Sequence, residues 1–251
     1  QEAIEKVCAT LSNAHAVANS KQLPFRFLSA YRELRGLPHG NIAKVLSALE
    51  LAVQHSAANI RGFDASTKVV IAADVSGSMQ RIISPKSTVQ NFDIGLMLAM
   101  LLQNRCENVV TGMFGDRWKI INMPKNNILA NVMEFHRREG EVGYSTNGHL
   151  VVQDLIDRRQ IVDKVMIFTD CQLWNSRGGN PISVAWKKYK SIAPNARLYL
   201  FDLAGYGTTP IQTIDNQGVF LTAGWSDKIF DILAAIEDGS NAVEVIYKIE
   251  I

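Results

Sequence analysis

Apolar side chains recur at helical spacing through the first sixty residues. Ile4, Val7, Cys8, Leu11 and His15 follow the i, i+3, i+4, i+7 rule and predict a helix from Glu2 to Asn19. Pro24 suits a first turn, and Phe27, Tyr31 and Leu34 line one face as far as Gly36. Ile42, Val45, Leu46, Leu49 and Val53 mark a third helix that fades near Ala58. Such short amphipathic helices amount to about one and a half helical-repeat units, too few to bury their stripes alone. They are expected to pack on the rest of the chain.

After a linker from Gly62 to Thr67 the pattern changes to apolar β-branched runs alternating with amphipathic helices. Val69 to Ala73 has the composition of a strand buried on both faces. Arg81 to Gln90 reads as a polar loop, and Phe92 to Leu102 as a nearly buried helix. Val109 to Phe114 and Trp118 to Asn122, joined through Gly115-Asp116-Arg117, predict an antiparallel edge hairpin. Helices follow at Ile128 to Arg138 and at Asn147 to Arg159, with a loop from Gly140 to Ser145 between them. Then come a strand at Lys164 to Thr169, a loop from Cys171 to Pro181, a helix at Ser183 to Ile192 and a strand at Arg197 to Asp202. A short strand at Val219 to Thr222, a helix at Asp227 to Glu237 and a final strand at Val243 to Ile249 complete the pattern. The fold class is α/β, a doubly wound mostly parallel sheet with helices on both faces and right-handed crossovers, preceded by a few α-helices. The expected division is residues 1–62 and 63–251.

The first buried strand stops abruptly in Asp74-Val75-Ser76-Gly77-Ser78. In open parallel sheets ligands bind beyond the carboxyl ends of the strands. A carboxylate and two hydroxyls at alternate positions of a tight turn can converge on a hard cation such as Mg²⁺. As a local alternative, Asp74, Ser76 and Ser78 serve as turn and capping residues.

This stretch resembles the DxSxS motif of the metal-ion-dependent adhesion site, and the chain from about Lys68 onward resembles a von Willebrand factor A domain. The resemblance implies two further metal ligands, Thr146 in Gly143-Tyr144-Ser145-Thr146-Asn147 and Asp170 after the apolar strand, with Asp170 holding a water-mediated position. Thr146 could instead cap the following helix, and Ser145 competes for either role. Tyr144 stands where the family has a Gly-rich approach. The cofactor implied is Mg²⁺, or Mn²⁺ or Ca²⁺, with one place left for an acidic group of a protein partner. Lys21-Gln22-Leu23-Pro24-Phe25-Arg26-Phe27-Leu28-Ser29-Ala30-Tyr31 resembles the end of the TROVE module of Ro-type RNA-binding proteins, in which a ring of helical repeats closes on an A domain. That likeness implies the C-terminal part of a cytoplasmic ribonucleoprotein. Its ring would bind small structured or misfolded RNA in RNA quality control.

Charge neither requires nor excludes RNA, because the net charge of 251 residues is only +2. Local basic groups do occur, at Lys21, Arg26, Arg32 and Arg35, at His136-Arg137-Arg138, and at Trp186-Lys187-Lys188-Tyr189-Lys190, where nearby aromatics could stack on bases. Each is equally readable as a solvated helix face, and only the TROVE likeness lifts the first. Cys8, Cys106 and Cys171 lack the close pairs of zinc or disulfide frameworks and suggest a reducing compartment. Cys171 is a poor ligand for a hard cation and reads as a small buried side chain. His39, His55, His136 and His149 show no metal spacing. No apolar run approaches the ~20 residues needed to span a bilayer. The chain opens at Gln1, with no signal peptide, which suggests a trimmed fragment.

No catalytic residue is expected. Asp74-Val75-Ser76 lacks the second acid of a DxD phosphotransferase, Ser76 lacks a G-x-S-x-G elbow, and no G-x-x-x-x-G-K-[ST] loop is present. The expected function is therefore a metal-dependent binding module of a Ro-like ribonucleoprotein, with neither membrane nor DNA as partner. The alternatives are a protein-adhesion A domain without an RNA role and, further off, a metal-dependent phosphotransfer enzyme.

Overall fold

A computed structural model describes residues 2–20, 22, 24–38, 40–57, 65–85, 87–171, 181–207, 218–224 and 229–237. Its six strands are β1 (Lys68–Asp74), β2 (Asn108–Phe114), β3 (Trp118–Ile120), β4 (Lys164–Thr169), β5 (Arg197–Asp202) and β6 (Val219–Ala223). They lie in the order β3-β2-β1-β4-β5-β6, all parallel except the β2–β3 hairpin at one edge. The helices are α1 (Glu2–Leu11), α2 (Ala14–Ser20), α3 (Pro24–Arg35), α4 (Ile42–Ala57), α5 (Asn91–Arg105), α6 (Ile128–Arg138), α7 (His149–Asp157), α8 (Pro181–Lys190) and α9 (Ile229–Glu237).

The two-residue period of the strands sorts their side chains into two cores. Val69, Ile71 and Ala73 of β1 with Met166 and Phe168 of β4 face the layer that includes α5 and α6. Val70, Ala72, Val165 and Ile167 face the other way, onto Val151, Leu155, Trp186 and Tyr189 of α7 and α8. Helix α5 lies between the sheet and the N-terminal helices, so nearly all its side chains are buried whatever face they occupy.

Phe27 and Leu28 of α3 and Ala52 and Val53 of α4 belong to the same core as α5 and α6. Polar ties reinforce that union. The Glu50 carboxylate accepts the orphan backbone N–H groups of Leu129 (3.1 Å) and Ala130 (2.8 Å) in the first turn of α6. Burial pushes the Glu50 carboxyl up, and those backbone donors oppose the rise. Arg32 of α3 grips Asp93 of α5, whose side chain is fully buried. Because one core spans both parts, heat is expected to unfold the described chain in a single cooperative transition. Leu28→Ala should lower its midpoint for the sheet as well as for the helices, at a cost of roughly 2–5 kcal/mol. Circular dichroism read alongside tryptophan fluorescence checks this, and two separated transitions would contradict it.

The helix expected from Glu2 to Asn19 is broken at Ser12-Asn13. The Asn13 carboxamide accepts the Ala16 N–H at 2.9 Å and starts α2 as its cap, a competition that an apolar period does not register. Helix α7 begins at His149, two residues later than expected, and α8 begins at Pro181, two residues earlier, with proline in its favoured first position. Half of the 62–67 linker, nearly all of the 171–181 loop, the first residues of the last helix and the whole 243–249 strand lie outside the described residues. Among the described residues no helix is long and apolar enough to cross a membrane.

Candidate metal centre

Strands β1 and β4 are neighbours where the winding of the sheet reverses, with β2 and β3 beyond one and β5 and β6 beyond the other. Such a reversal parts the loops at the carboxyl ends of the two strands and leaves a crevice. Asp74 ends β1, Asp170 follows β4, and both are fully buried. The backbone leaving β1 is pinned to β2 by Val75 N–H donating to Phe114 O at 3.2 Å.

Asp74 is held from two sides. Its Oδ1 accepts the Ser76 N–H at 2.8 Å, the turn that an Asp followed by a small polar residue favours, and its Oδ2 accepts the Thr169 hydroxyl at 2.6 Å. The Ser76 and Ser78 hydroxyl oxygens lie 3.2 Å apart, Ser76 buried and Ser78 half-buried, in a 3-10 turn over Gly77–Gln80. One carboxylate and two hydroxyls thus come together as their alternate spacing requires.

Burial pushes the Asp74 carboxyl up to about 6, the Thr169 and Ser76 donors opposing the rise and the neighbouring Asp170 charge adding to it. The Cys171 thiol is pushed up by burial and then by the charges of Asp202, Asp170 and Asp74. Three buried carboxylates therefore act on one region at the ends of β1, β4 and β5. Asp202 has a local use, since its oxygens accept the Gly205 and Gly207 N–H groups at 2.9 and 2.8 Å. Among the described residues no ion pair involves Asp74. The buried Cys171 takes a positive φ of 57°, and its N–H donates to the Thr169 hydroxyl at 3.2 Å.

Thr146 is half-buried in the loop before α7. Gly148 occupies the cap position, so Thr146 is not the helix cap, and the Ser145 hydroxyl and N–H both bond the Asp116 carboxylate. The loop is fastened to the end of β2, with Asn147 N–H donating to Gly115 O at 3.3 Å and Asp116 N–H to Val142 O at 2.7 Å. Gly143 has a φ of 74°, which favours glycine, and a Cβ on Gly115 would stand 2.1 Å from Gly143 O. Those two glycines let the Thr146 loop lie against the β2–β3 turn. Tyr144 stands at its rim, half-exposed.

All candidate donors are hard oxygens. Among the described residues no three of His, Cys, Asp and Glu are placed to hold an ion, so any ion here depends on the hydroxyls as well. Two carboxylates with hydroxyl and water ligands suit Mg²⁺, which keeps several waters, better than softer transition metals. Sequence reasoning misses Thr169, which orients Asp74. A threonine ending an apolar strand ordinarily signals β-propensity alone.

The basic groups fare differently. Arg32 faces Asp93, Arg26 lies 5.8 Å over the Phe25 ring, Arg35 is exposed beside Tyr31, and Lys21 lies outside the described residues. Arg137 pairs with Glu134 at 2.6 and 2.8 Å, and Arg138 with Glu141 at 2.9 and 3.0 Å. In the third cluster Trp186 and Tyr189 are fully buried in the core, so they cannot stack on bases. Tyr189 instead donates to Gln160 O and accepts the Val162 N–H, both at 3.0 Å.

Residues 68–236 match the family model described as the Ro60 vWA domain. No curated protein matches the chain. The chain superposes on the crystal structure of the Ro (RSR) protein of Deinococcus radiodurans with a TM-score of 0.70 and 18% sequence identity. That alignment covers 95% of this chain and 49% of that protein, so the chain spans about half of its length. The family match takes in about two thirds of the chain, the sheet has the fold of that structural relative, and the chain belongs to the Ro60 von Willebrand factor A domain family.

Proposed function

We propose that this chain is a cation-dependent binding module of a Ro-type protein. Asp74, Ser76 and Ser78 would hold Mg²⁺ or Mn²⁺ directly, Ca²⁺ being the other candidate, with Thr146 and Asp170 completing the protein's share, Asp170 through water. The bound ion would supply an open coordination place that an acidic side chain of a protein partner can fill. The observation that carries this reading is the Asp74 carboxylate, wholly buried beside Asp170 and two serine hydroxyls at the reversal point of the sheet. A divalent cation would offset the repulsion that burial leaves there. Binding is favoured over catalysis because Ser76 has the Ser78 hydroxyl and the Asp74 carboxylate as neighbours. Among the described residues no histidine reaches it as a base.

The wider role proposed is RNA quality control in the cytoplasm, with small structured or misfolded RNA contacted largely by helical repeats outside these residues. Supporting that division, Arg32, Arg137 and Arg138, three of the cations nearest the candidate RNA surfaces, are bidentate to carboxylates within the fold and are less available to phosphates. The chain itself is therefore expected to bind a structured small RNA weakly, with a shallow salt dependence. Titration at low and near-physiological salt checks this. Tight, steeply salt-dependent binding would place the RNA site on this chain and overturn the division.

A further inference from the structure

The loop that carries Ser76 and Ser78 runs from β1 to the first turn of α5, and backbone hydrogen bonds tie it into one piece. Met79 N–H donates to Ser76 O (3.0 Å), Arg81 N–H to Ser78 O (3.4 Å), Ile83 N–H to Val89 O (3.0 Å) and Asn91 N–H to Arg81 O (3.0 Å). The far end of the loop closes on Asp93, whose Oδ2 accepts the Gln90 N–H at 2.8 Å. That same oxygen accepts Arg32 Nη1 at 2.8 Å, while Oδ1 accepts Arg32 Nη2. Asp93 has no exposed side-chain surface and Arg32 only 17%. An arginine of the N-terminal helices therefore supplies the counter-charge for the carboxylate that closes the serine loop.

We infer that Arg32 is a positioning residue: through Asp93 and Gln90 it holds the 75–90 loop, and with it Ser76 and Ser78, in the arrangement a cation requires. Removing the guanidinium leaves Asp93 buried without its cation, an expensive state that is relieved by drawing the first turn of α5 toward water. The Gln90 N–H and the Asn91–Arg81 bond follow that turn. Met79, buried in the core, and Gln80, bonded to Glu139 at 3.3 Å, anchor the serine turn independently, so the effect is bounded. The coupling is reciprocal, and cation binding should in turn steady the docking of α3.

The cation half of this inference rests on the proposed metal site, whereas the loop half does not, and the experiment separates them. Native-state hydrogen exchange of Arg32→Gln without metal should show the amides of Met79, Arg81, Ile83 and Asn91 opening about five- to tenfold faster, with β1 and β4 unchanged. Arg32→Lys keeps the charge but not the two-point geometry, should fall between, and serves if Arg32→Gln does not fold. Calorimetric titration with Mg²⁺ should show affinity weakened in the same proportion. Unchanged loop amides, or an unchanged Mg²⁺ affinity beside a lowered melting temperature, would make the ion pair a purely structural tie and overturn the inference. Faster loop exchange in the variant, beside a wild-type chain that binds no Mg²⁺, would uphold the loop-holding role and reject the cation site instead.

Discussion

At pH 7.5, Mg²⁺ is expected to raise the melting temperature of the wild-type chain by several degrees, and Asp74→Asn to abolish the rise without weakening the metal-free protein. Asp74 sits near 6 in the folded state, against 3.8 as its ordinary value. For an acid raised on folding, the native state holds its proton longer than the unfolded chain. The contribution of Asp74 to stability is therefore greatest below about pH 4 and declines as pH rises through 4 to 6. Two pKa units at about 1.4 kcal/mol each put that decline on the order of 3 kcal/mol above pH 6. The asparagine of the variant would carry no charge to bury, although its one carboxamide oxygen replaces the two oxygens with which Asp74 accepts the Ser76 N–H and the Thr169 hydroxyl. The metal-free variant should then match or exceed the wild type at pH 7.5. Adding Mg²⁺ at a hundred times its Kd contributes about 2.7 kcal/mol to the wild type alone. At roughly 2–4 °C per kcal/mol for a chain of this size, Mg²⁺ should raise the wild-type melting temperature by about 5–11 °C and leave that of the variant unchanged. At pH 5 the wild-type gain should shrink, because the ion must then displace a proton from Asp74. An identical Mg²⁺ response in both proteins would remove Asp74 from the site.

How much of this is legible in the sequence depends on how local each determinant is. Asp74, Ser76 and Ser78 are readable because motif, strand and turn are contiguous, and every strand from β1 to β6 falls within two residues of its expected bounds because buried β-branched runs announce themselves. The break between α1 and α2 is not readable, since Cys8, Leu11 and His15 keep helical spacing straight through the Asn13 cap. Arg32 reads on its local charge equally as a solvated cation, raised to an RNA contact only by the TROVE likeness, while its partner Asp93 lies 61 residues away in a helix whose burial hides any pattern. Trp186 and Tyr189 with Lys187 and Lys188 read equally as a nucleic-acid surface or an amphipathic helix. Only the fold shows the aromatics turned into the core and the two lysines left at the surface. The Thr146 loop is legible as a candidate but not as a geometry, because its placement depends on backbone of residues 115 and 143 meeting across the sheet edge.

That meeting underlies the second large effect, a loss of about 3 kcal/mol in Gly115→Ala. The new Cβ would stand 2.1 Å from Gly143 O, 2.7 Å from its carbonyl carbon and 2.9 Å from Val142 O. All three are backbone atoms, so no side-chain rotation relieves the overlap, and the 142–148 segment must move bodily away from the end of β2. Forced insertions of this kind typically cost about 1–3 kcal/mol and at times more. The movement also breaks Asp116 N–H to Val142 O and Asn147 N–H to Gly115 O, the bonds that fasten the Thr146 loop to the β2–β3 turn. A drop of roughly 6–12 °C in melting temperature is expected. Under the proposed cation site, Mg²⁺ affinity should fall as well. Gly77→Ala is the control, because it lies in the serine turn itself yet a Cβ there meets nothing within 4 Å and its φ is not positive. It should stay within about 0.5 kcal/mol of the wild type. Equal melting temperatures for Gly115→Ala and Gly77→Ala would show that the Thr146 loop yields freely, and the close backbone contact at Gly115 would lose its place in organising the site.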